Sequence, residues 1–170
     1  MEKLPLGIAG SSFSALRKLA PLSILVGVIA GFGAVAFHML GQAIVHFTLD
    51  LIGGYRPLSP LGEQGAHGFF EPTGAPLRPW LLMLVPIIGG LISGWLVYTF
   101  APEAEGHGTD AAIKAYHKNR GRIRPRVPLI KMVASALTIG SGGSGGREGP
   151  IAQIGAGFGS FLGDKLKLPD

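Results

Sequence analysis

Two long stretches of the sequence contain no formally charged residue. The first runs from Leu19 to Leu49 and the second from Pro79 to Pro102. About 20 predominantly apolar residues in a helix are enough to span the hydrocarbon core of a bilayer. The pattern therefore predicts two membrane-spanning helices, at about 19–49 and 79–102, preceded by a polar segment over residues 1–18.

The polar residues around these spans predict how the chain is oriented. Residues 50–78 are rich in proline and glycine and show no sustained hydrophobic period, which predicts a loop. Three bases lie within residues 1–18, and six lie between Lys114 and Arg126. Because basic segments next to spans remain in the cytoplasm, we expect the N-terminus and the 114–126 segment there, and the 50–78 loop outside.

Shorter charge-free segments follow Lys131. They cover residues 132–146 and 149–163, and each would be about 22 Å long as a helix, less than the hydrocarbon core of about 30 Å. Short, glycine-interrupted hydrophobic segments are typical of broken helices that meet at a site within a membrane. We therefore predict an all-α fold with short helices at about 109–119, 127–140 and 149–163.

Glycines spaced four residues apart predict where helices pack closely. Such spacing lets two helix backbones approach each other, although it also arises by chance in a glycine-rich chain. The positions with this spacing are Gly27 and Gly31, Gly90 and Gly94, and Gly155, Gly159 and Gly163.

Composition favours a membrane protein over a soluble domain. Charged residues make up 15% of the chain, against about 25% in soluble proteins, and the mean hydropathy is +0.40. The chain has no cysteine, and its five histidines lack the spacing of metal ligands. We therefore predict no metal site, and we also expect no cofactor and no enzymatic activity. The net charge of +5 is concentrated in the basic segments, so we do not predict nucleic acid as a partner.

The glycine-rich stretch from Gly140 to Pro150 lies between the two short segments. It contains the pattern G-x-G-x-x-G from Gly140 to Gly145, and Asp164 follows at the distance of the acid that binds a ribose in dinucleotide-binding folds. Such a fold requires a strand before the loop and a second strand that carries the acid. A soluble nucleotide-binding domain is therefore one interpretation, and recovery of the chain without detergent would favour it.

An anion site at the start of a helix is the other interpretation of the same stretch. The sequence Glu148-Gly-Pro150 is typical of a helix start, where proline is favoured. The first N–H groups of a helix lack partners and carry partial positive charge, and glycines let an ion approach them. The Glu148 carboxylate would compete with an anion for this site until it is protonated or displaced. Alternatively, Glu148 only caps its own helix or pairs with Arg147.

A second helix start of this kind follows Gly106, His107 and Gly108. Thr109 or Asp110 is predicted to cap the helix. The neutral imidazole of His107 can donate one N–H to an anion. The alternative is a loop histidine without a ligand.

Both motifs resemble those of the CLC family of chloride channels and chloride/proton antiporters. The sequence from Gly146 to Pro150 matches the family signature G-[KR]-E-G-P, and the residues from Glu103 to Gly108 align with the earlier family motif G-S-G-I-P. The order of spans and motifs is also similar over about residues 20–163. The resemblance implies that residues 19–170 are the first part of a CLC-type inverted repeat within a polytopic membrane domain.

The resemblance also implies roles for individual residues. Glu148 corresponds to the gating glutamate, which competes with chloride and takes up a proton. His107 stands where the family commonly has a serine, and Thr109-Asp110 replaces Ile-Pro, so the preferred anion stays open. The implied anion-binding residues are Gly106, His107, Gly108, Gly146, Arg147, Gly149 and Pro150.

At the level of the whole protein, the resemblance implies chloride as the transported ion, by a voltage-gated channel or by exchange with protons. It also implies a homodimer in the cell membrane. Because family members have two inverted halves, we expect this chain to be an N-terminal fragment that does not transport alone. The alternative is a membrane scaffold whose glycines serve helix packing only and that does not transport.

Overall fold

The computed structural model describes the backbone of residues 7–57 and 70–166, with side chains from residue 20 onward. This part of the chain is helical and contains no strand, as predicted. A π-helical segment, His46–Ile52, extends the first helix, and a 3-10 turn, Pro102–Ala104, follows the second. The α-helices are α1 (Gly7–Val45), α2 (Pro79–Phe100), α3 (Thr109–Lys118), α4 (Arg126–Gly140) and α5 (Glu148–Lys165).

The helix α1 is longer than the predicted first span. It begins at Gly7 rather than at residue 19, because serine, alanine, leucine, arginine and lysine all tolerate a helical backbone. The predicted polar segment 1–18 is therefore partly helical, and residues 1–6 lie outside the described part of the chain. So do residues 58–69 of the predicted 50–78 loop.

By length and composition, two helical stretches can cross a membrane: Ala20–Ile52 and Pro79–Phe100. Only 11% and 22% of their most apolar windows are buried in the structure, whereas a core helix of a soluble protein is mostly buried. Large apolar side chains such as Phe32, Trp80 and Leu91 point outward. These helices therefore present apolar surfaces outside, as a protein surrounded by lipid requires.

The short helix α4 lies at the centre of the bundle. It packs against α1, α2 and α5, while α1 also packs against α5 and α3 packs against α5. Phe37 of α1, Ala136 of α4 and Ile154 of α5 are buried together where these three helices meet. The position of α4 therefore decides where the loops at its two ends lie.

Close helix contacts occur at glycines other than those that the four-residue spacing predicts. A Cβ atom at Gly27, Gly31, Gly90, Gly94 or Gly163 would meet nothing within 4 Å, and at Gly155 and Gly159 it would make ordinary contacts of 3.5 Å. Tight contacts lie instead at Gly89, Gly140 and Gly157, where a Cβ would come within 2.2–2.8 Å of Ser141, Ile44 and Pro128. The spacing prediction was therefore wrong for the glycines of α1 and α2 and for Gly163, because the spacing does not show which face of a helix meets a neighbour. Gly155 and Gly159, in contrast, do face Ala30 and Val26 of α1.

A buried carboxylate ties the segment before α2 to the end of α1. Asp50 is 4% exposed, and it accepts hydrogen bonds from the Thr73 hydroxyl at 2.7 Å and the Thr73 N–H at 3.3 Å. The Arg56 guanidinium lies 3.4 Å from the same carboxylate, and His46 Nδ1 lies 3.2 Å from it. These four residues, Asp50, Thr73, Arg56 and His46, are called the Asp50 cluster below.

Candidate anion site

The site is built where the loop before α3 touches the first turn of α5. Gly108 has a φ of +80°, and a Cβ there would lie 2.4 Å from the carbonyl oxygen of Gly149. A Cβ at Gly149 would lie 1.9 Å from the carbonyl oxygen of His107. The two backbones can come this close only because both positions are glycine. This contact brings the N-termini of α3 and α5 side by side.

The approach to α5 is set by how α4 ends. The Gly142 N–H bonds to the Ile139 carbonyl at 3.1 Å and the Gly143 N–H to the Thr138 carbonyl at 2.8 Å. This pair of bonds, with Gly142 at a φ of +95°, is the Schellman arrangement that ends many helices. Glycine at this position therefore stops α4 and turns the chain back toward α5.

The same bonds exclude the dinucleotide-binding interpretation. The residues before Gly140 form α4, where a nucleotide-binding fold would have a strand. Asp164 lies within α5 rather than on a second strand, and its carboxylate faces Arg122 Nε at 3.9 Å. The G-x-G-x-x-G pattern here is a helix end followed by a loop.

A cavity of about 570 Å³ opens between these loops and the facing sides of α2 and α4. Six of the eight predicted site residues line it, namely Gly106, His107, Gly146, Glu148, Gly149 and Pro150. Gly108 does not line the cavity, since it is buried in the contact between the loops. Arg147 does not line it either, and its guanidinium reaches toward α1 instead, where Nη1 lies 3.3 Å from His38 Nδ1.

Glu148 lies at the first position of α5, with its side chain exposed at the cavity. Its Oε2 atom bends back over the preceding loop, 2.6 Å from where a Cβ of Gly146 would be. A side chain at position 146 would therefore displace the flexible Glu148 carboxylate from this place. The glycine leaves the carboxylate room beside the unpaired N–H groups of the helix start.

Lys131 is a charged residue of this site that sequence reasoning missed. Its side chain is 5% exposed, and its Nζ donates to the carbonyl oxygens of Ala104 at 2.9 Å and Gly106 at 2.6 Å. Within residues 7–57 and 70–166 its ammonium group forms no ion pair with a carboxylate. The residue lines the cavity, so a buried positive charge faces it. The sequence feature that could have pointed to Lys131 is its position as a single charge between the apolar segments 127–130 and 132–146.

Hydroxyl groups join the two helices that form the far wall of the cavity. The Ser93 hydroxyl of α2 donates to the Ala134 carbonyl of α4 at 2.9 Å, and the Thr138 hydroxyl donates to Ser93 Oγ at 2.8 Å. At the mouth, the Tyr98 hydroxyl donates to the Glu105 carboxylate at 3.0 Å. The wall is therefore polar, and Lys131 of α4 is the charged residue that it contributes to the cavity lining.

The start of α3 is not capped as predicted. Gly108 is the N-cap residue, and no side-chain hydrogen bond caps the helix, so the predicted cap by Thr109 or Asp110 was wrong. The reason is the positive φ of Gly108, which turns the chain into the helix one residue earlier. The N–H groups of this first turn are consequently left without a side-chain partner.

A second cavity, of about 840 Å³, lies on the other side of the 103–108 loop. Its charged lining residues are three acids and three bases, so their charges balance; they are Glu103, Glu105, Asp110, Lys114, Arg122 and Arg124. Burial raises the pKa of the Glu103 carboxyl, but the hydrogen bond from Arg124 and the nearby charges outweigh burial and lower the pKa below its ordinary 4.5. This cavity therefore does not select anions by charge.

These features define a class of protein: an all-helical chain with two helices that can span a membrane, in which the loop before α3 and the first turn of α5 meet at one cavity. A family model described as "Voltage gated chloride channel" matches residues 89–170. The H(+)/Cl(-) exchange transporter ClcA of Cronobacter sakazakii is 32% identical over 91% of this chain and 31% of its own length. The ClcA of Vibrio campbellii is 28% identical over 96% of the chain and 31% of its own length.

The similarity extends beyond bacteria. The chloride channel protein CLC-e of Arabidopsis thaliana is 32% identical over 78% of this chain and 16% of its own length. No solved structure matched the chain. The chain belongs to the CLC family, and it spans about a third or less of the length of these curated relatives.

Proposed function

We propose that this chain forms part of a pathway that carries chloride or a related anion across a membrane, with Glu148 as its gate. The observation that carries the proposal is the meeting of two helix N-termini, from α3 and α5, beside a cavity that a buried lysine also faces. Unpaired N–H groups and Lys131 favour an anion there without binding it through a rigid cage.

Glu148 supplies the gate in this proposal because its carboxylate is itself an anion at the helix start that attracts anions. When the carboxylate is ionised it competes with chloride for the same N–H groups, and when it is protonated or displaced it leaves them to the ion. The partners in the proposal are chloride or a related anion, protons, the lipid bilayer and a second copy of the protein. The proposed orientation has the N-terminus in the cytoplasm.

Anion preference is proposed to depend on His107. Its side chain is exposed at the cavity, where an imidazole N–H is a bulkier and more directional donor than a hydroxyl. The proposal leaves open whether transport is by a channel or by exchange with protons. Both the ClcA proteins and CLC-e are named for chloride.

Calorimetric titration of chloride into the natural gene product, purified in detergent, tests the binding part of this proposal. Replacing Lys131 by glutamine should weaken chloride binding by about tenfold or more, because a buried charge facing the site contributes at least about 1.4 kcal/mol. Lys118→Gln is the matched control, since Lys118 is exposed at the end of α3, and it should bind chloride like the wild type. A protein that only assembles others would bind no chloride in any variant.

A further inference from the structure

The π-helical segment His46–Ile52 is a part of the chain that the anion cavity does not use. In a π-helix each N–H bonds to the carbonyl five residues earlier, and single π-helical turns often lie at functional sites. This one lies where the first span passes the end of α4. The Thr48 hydroxyl lies 2.8 Å from the carbonyl oxygen of Gly140, the last residue of α4, and 2.7 Å from that of Ile44 in the preceding turn. The segment therefore contacts the residue from which the glycine-rich loop leaves α4.

Close packing surrounds this contact. A Cβ at Gly140 would lie 2.7 Å from Ile44 Cγ2, so only glycine lets α4 end this near to α1. Leu49 is buried, and its Cδ2 lies 3.6 Å from where a Cβ of Gly142 would be. The first span and its π-helical extension thus meet both the last residue of α4 and the turn that follows it.

The hydrogen bond from Thr48 completes the end of α4. The last four carbonyl groups of an α-helix have no partner within the helix. Backbone N–H groups of the turn after α4 bond to the carbonyls of residues 137–139. The carbonyl of Gly140 accepts from the Thr48 hydroxyl instead. A hydroxyl has one proton, so Thr48 shares it between the Gly140 and Ile44 carbonyls and joins the two helices through one donor.

The far end of the π-helical segment is fixed by contacts with the residues before α2. Asp50 accepts a hydrogen bond from the Thr73 hydroxyl at 2.7 Å, within the Asp50 cluster. The carbonyl of Gly53, which follows the segment, accepts from the Arg78 N–H at 2.9 Å, immediately before α2. We therefore expect the segment to act as a fixed support for the end of α4.

The loop that leaves α4 at Gly140 leads directly to Glu148. Its far end is set by the contact of Gly149 with the His107 carbonyl. Its near end is set by the last residue of α4, to which Thr48 bonds. Thr48 does not line the anion cavity. A change at Thr48 would therefore reach Glu148 through the loop and not through the cavity lining.

We propose that Thr48 is a positioning residue for Glu148. Its hydroxyl fixes the end of α4, and with it residues 141–147, which place the Glu148 carboxylate beside the helix start. When the hydroxyl is lost, the loop moves more freely and the carboxylate competes less well with an anion for the N–H groups. The effect on transport rests on the proposed function, whereas the fixing of the loop is a property of the fold.

Hydrogen–deuterium exchange of residues 141–147 tests the fixing of the loop without any transport assay. Thr48→Val keeps the shape of the side chain and removes its donor. Exchange in the natural gene product, held in lipid nanodiscs, should become about three- to tenfold faster. Thr48→Ser retains a hydroxyl and should exchange like the wild type. Thr99→Val is the matched control, because Thr99 is exposed on α2, and it should also exchange like the wild type.

Unchanged exchange in Thr48→Val, or equally fast exchange in Thr48→Ser, would overturn the proposal. Thr48→Ala removes the same donor with a smaller side chain and gives the same comparison should Thr48→Val not fold. Failure of both variants to fold, while Thr48→Ser folds, would show that the hydroxyl serves the whole fold and would also overturn the positioning role.

Chloride flux separates a positioning role from a general effect on the fold. At about pH 7.5, where an ordinary glutamate is ionised, Thr48→Val should raise the flux about threefold, because the carboxylate competes less well with chloride. In the Glu148→Gln background the same substitution should leave the flux unchanged, since no carboxylate remains to be placed. Flux that does not rise in the wild-type background, or that changes equally in both backgrounds, would overturn the positioning role. Faster loop exchange in Thr48→Val, together with a Glu148→Gln flux profile like that of the wild type, would instead count against the proposed function alone.

Discussion

At the scale of single residues, the site depends on two glycines whose places no other residue can take. Gly108 needs its positive φ as well as the space beside Gly149, and Gly149 lies against the carbonyl of His107. The two family motifs explain why both were singled out from the sequence. The contact between them could not be predicted, because it joins residues about 40 positions apart through the folding of α3 against α5.

Gly149→Ala should destabilise the chain strongly, by about 3 kcal/mol or more, because the new methyl group would overlap the His107 carbonyl and force the loops apart. Thermal unfolding in detergent, followed by tryptophan fluorescence, measures the change. Gly90→Ala is the matched control: Gly90 lies within α2 and a Cβ there meets nothing within 4 Å. Equal melting temperatures for Gly149→Ala and Gly90→Ala would contradict the described contact.

Lys131 and His38 show where single-residue reasoning stops. The isolated charge of Lys131 between apolar segments was visible in the sequence. The carbonyl groups that accept its hydrogen bonds, however, lie far away in the sequence, in the loop before α3. His38 reads as one polar residue in a long apolar span. Arg147, which contacts His38, was predicted to bind anions. Whether its guanidinium reaches the cavity or α1 depends on the orientation of its side chain, which the sequence does not show.

At the scale of secondary structure, charge and glycine content predicted the helices but not all of their ends. The observed bounds of α3, α4 and α5 lie close to the predicted ones, since glycine and proline interrupt the sequence on either side of them. The end of α1 was not predicted, because a π-helical segment carries the helix past Asp50 to Ile52. The span was expected to end before the charged residue Asp50. In the structure Asp50 is buried within the Asp50 cluster, and the helix continues past it.

Asp50→Ala should loosen the segment that contains Thr73, because the Thr73 N–H and hydroxyl lose their acceptor. Hydrogen–deuterium exchange of the peptide around Thr73 should become about tenfold faster or more, since a bond to a charged group contributes about 1.5–3 kcal/mol. Glu71→Gln changes an exposed acid in the same segment and should leave the exchange rate unchanged. Unaltered exchange in Asp50→Ala would show that the cluster does not hold this segment.

At the scale of the whole molecule, two independent features indicate a membrane protein. They are the apolar outer surfaces of α1 and α2 and the positions of the basic residues. The sequence alone predicted this class, because the length of a charge-free run and the position of lysine and arginine depend on the bilayer and not on tertiary contacts. The cavity could not be predicted in the same way, since three helices and two loops form it.

The proposed orientation is tested by thiol labelling, for which the cysteine-free chain is suited. Glu71→Cys, in the predicted outer loop, should react with a membrane-impermeant maleimide on intact cells. Lys118→Cys, at the end of α3 in the basic segment, should react only after the membrane is permeabilised. The reverse pattern would show that the N-terminus faces outward and would contradict the positive-inside interpretation.

Chloride flux through Glu148→Gln tests the central claim most directly. The natural gene product is reconstituted into chloride-loaded liposomes, and efflux is recorded at external pH values from about 4 to 8, which bracket the ordinary glutamate pKa. Wild-type flux should depend steeply on external protons, and Glu148→Gln should lose most of that dependence because its side chain stays neutral. Glu71→Gln should keep the wild-type profile. A Glu148→Gln profile that superimposes on the wild type would contradict the assignment of Glu148 as the gate.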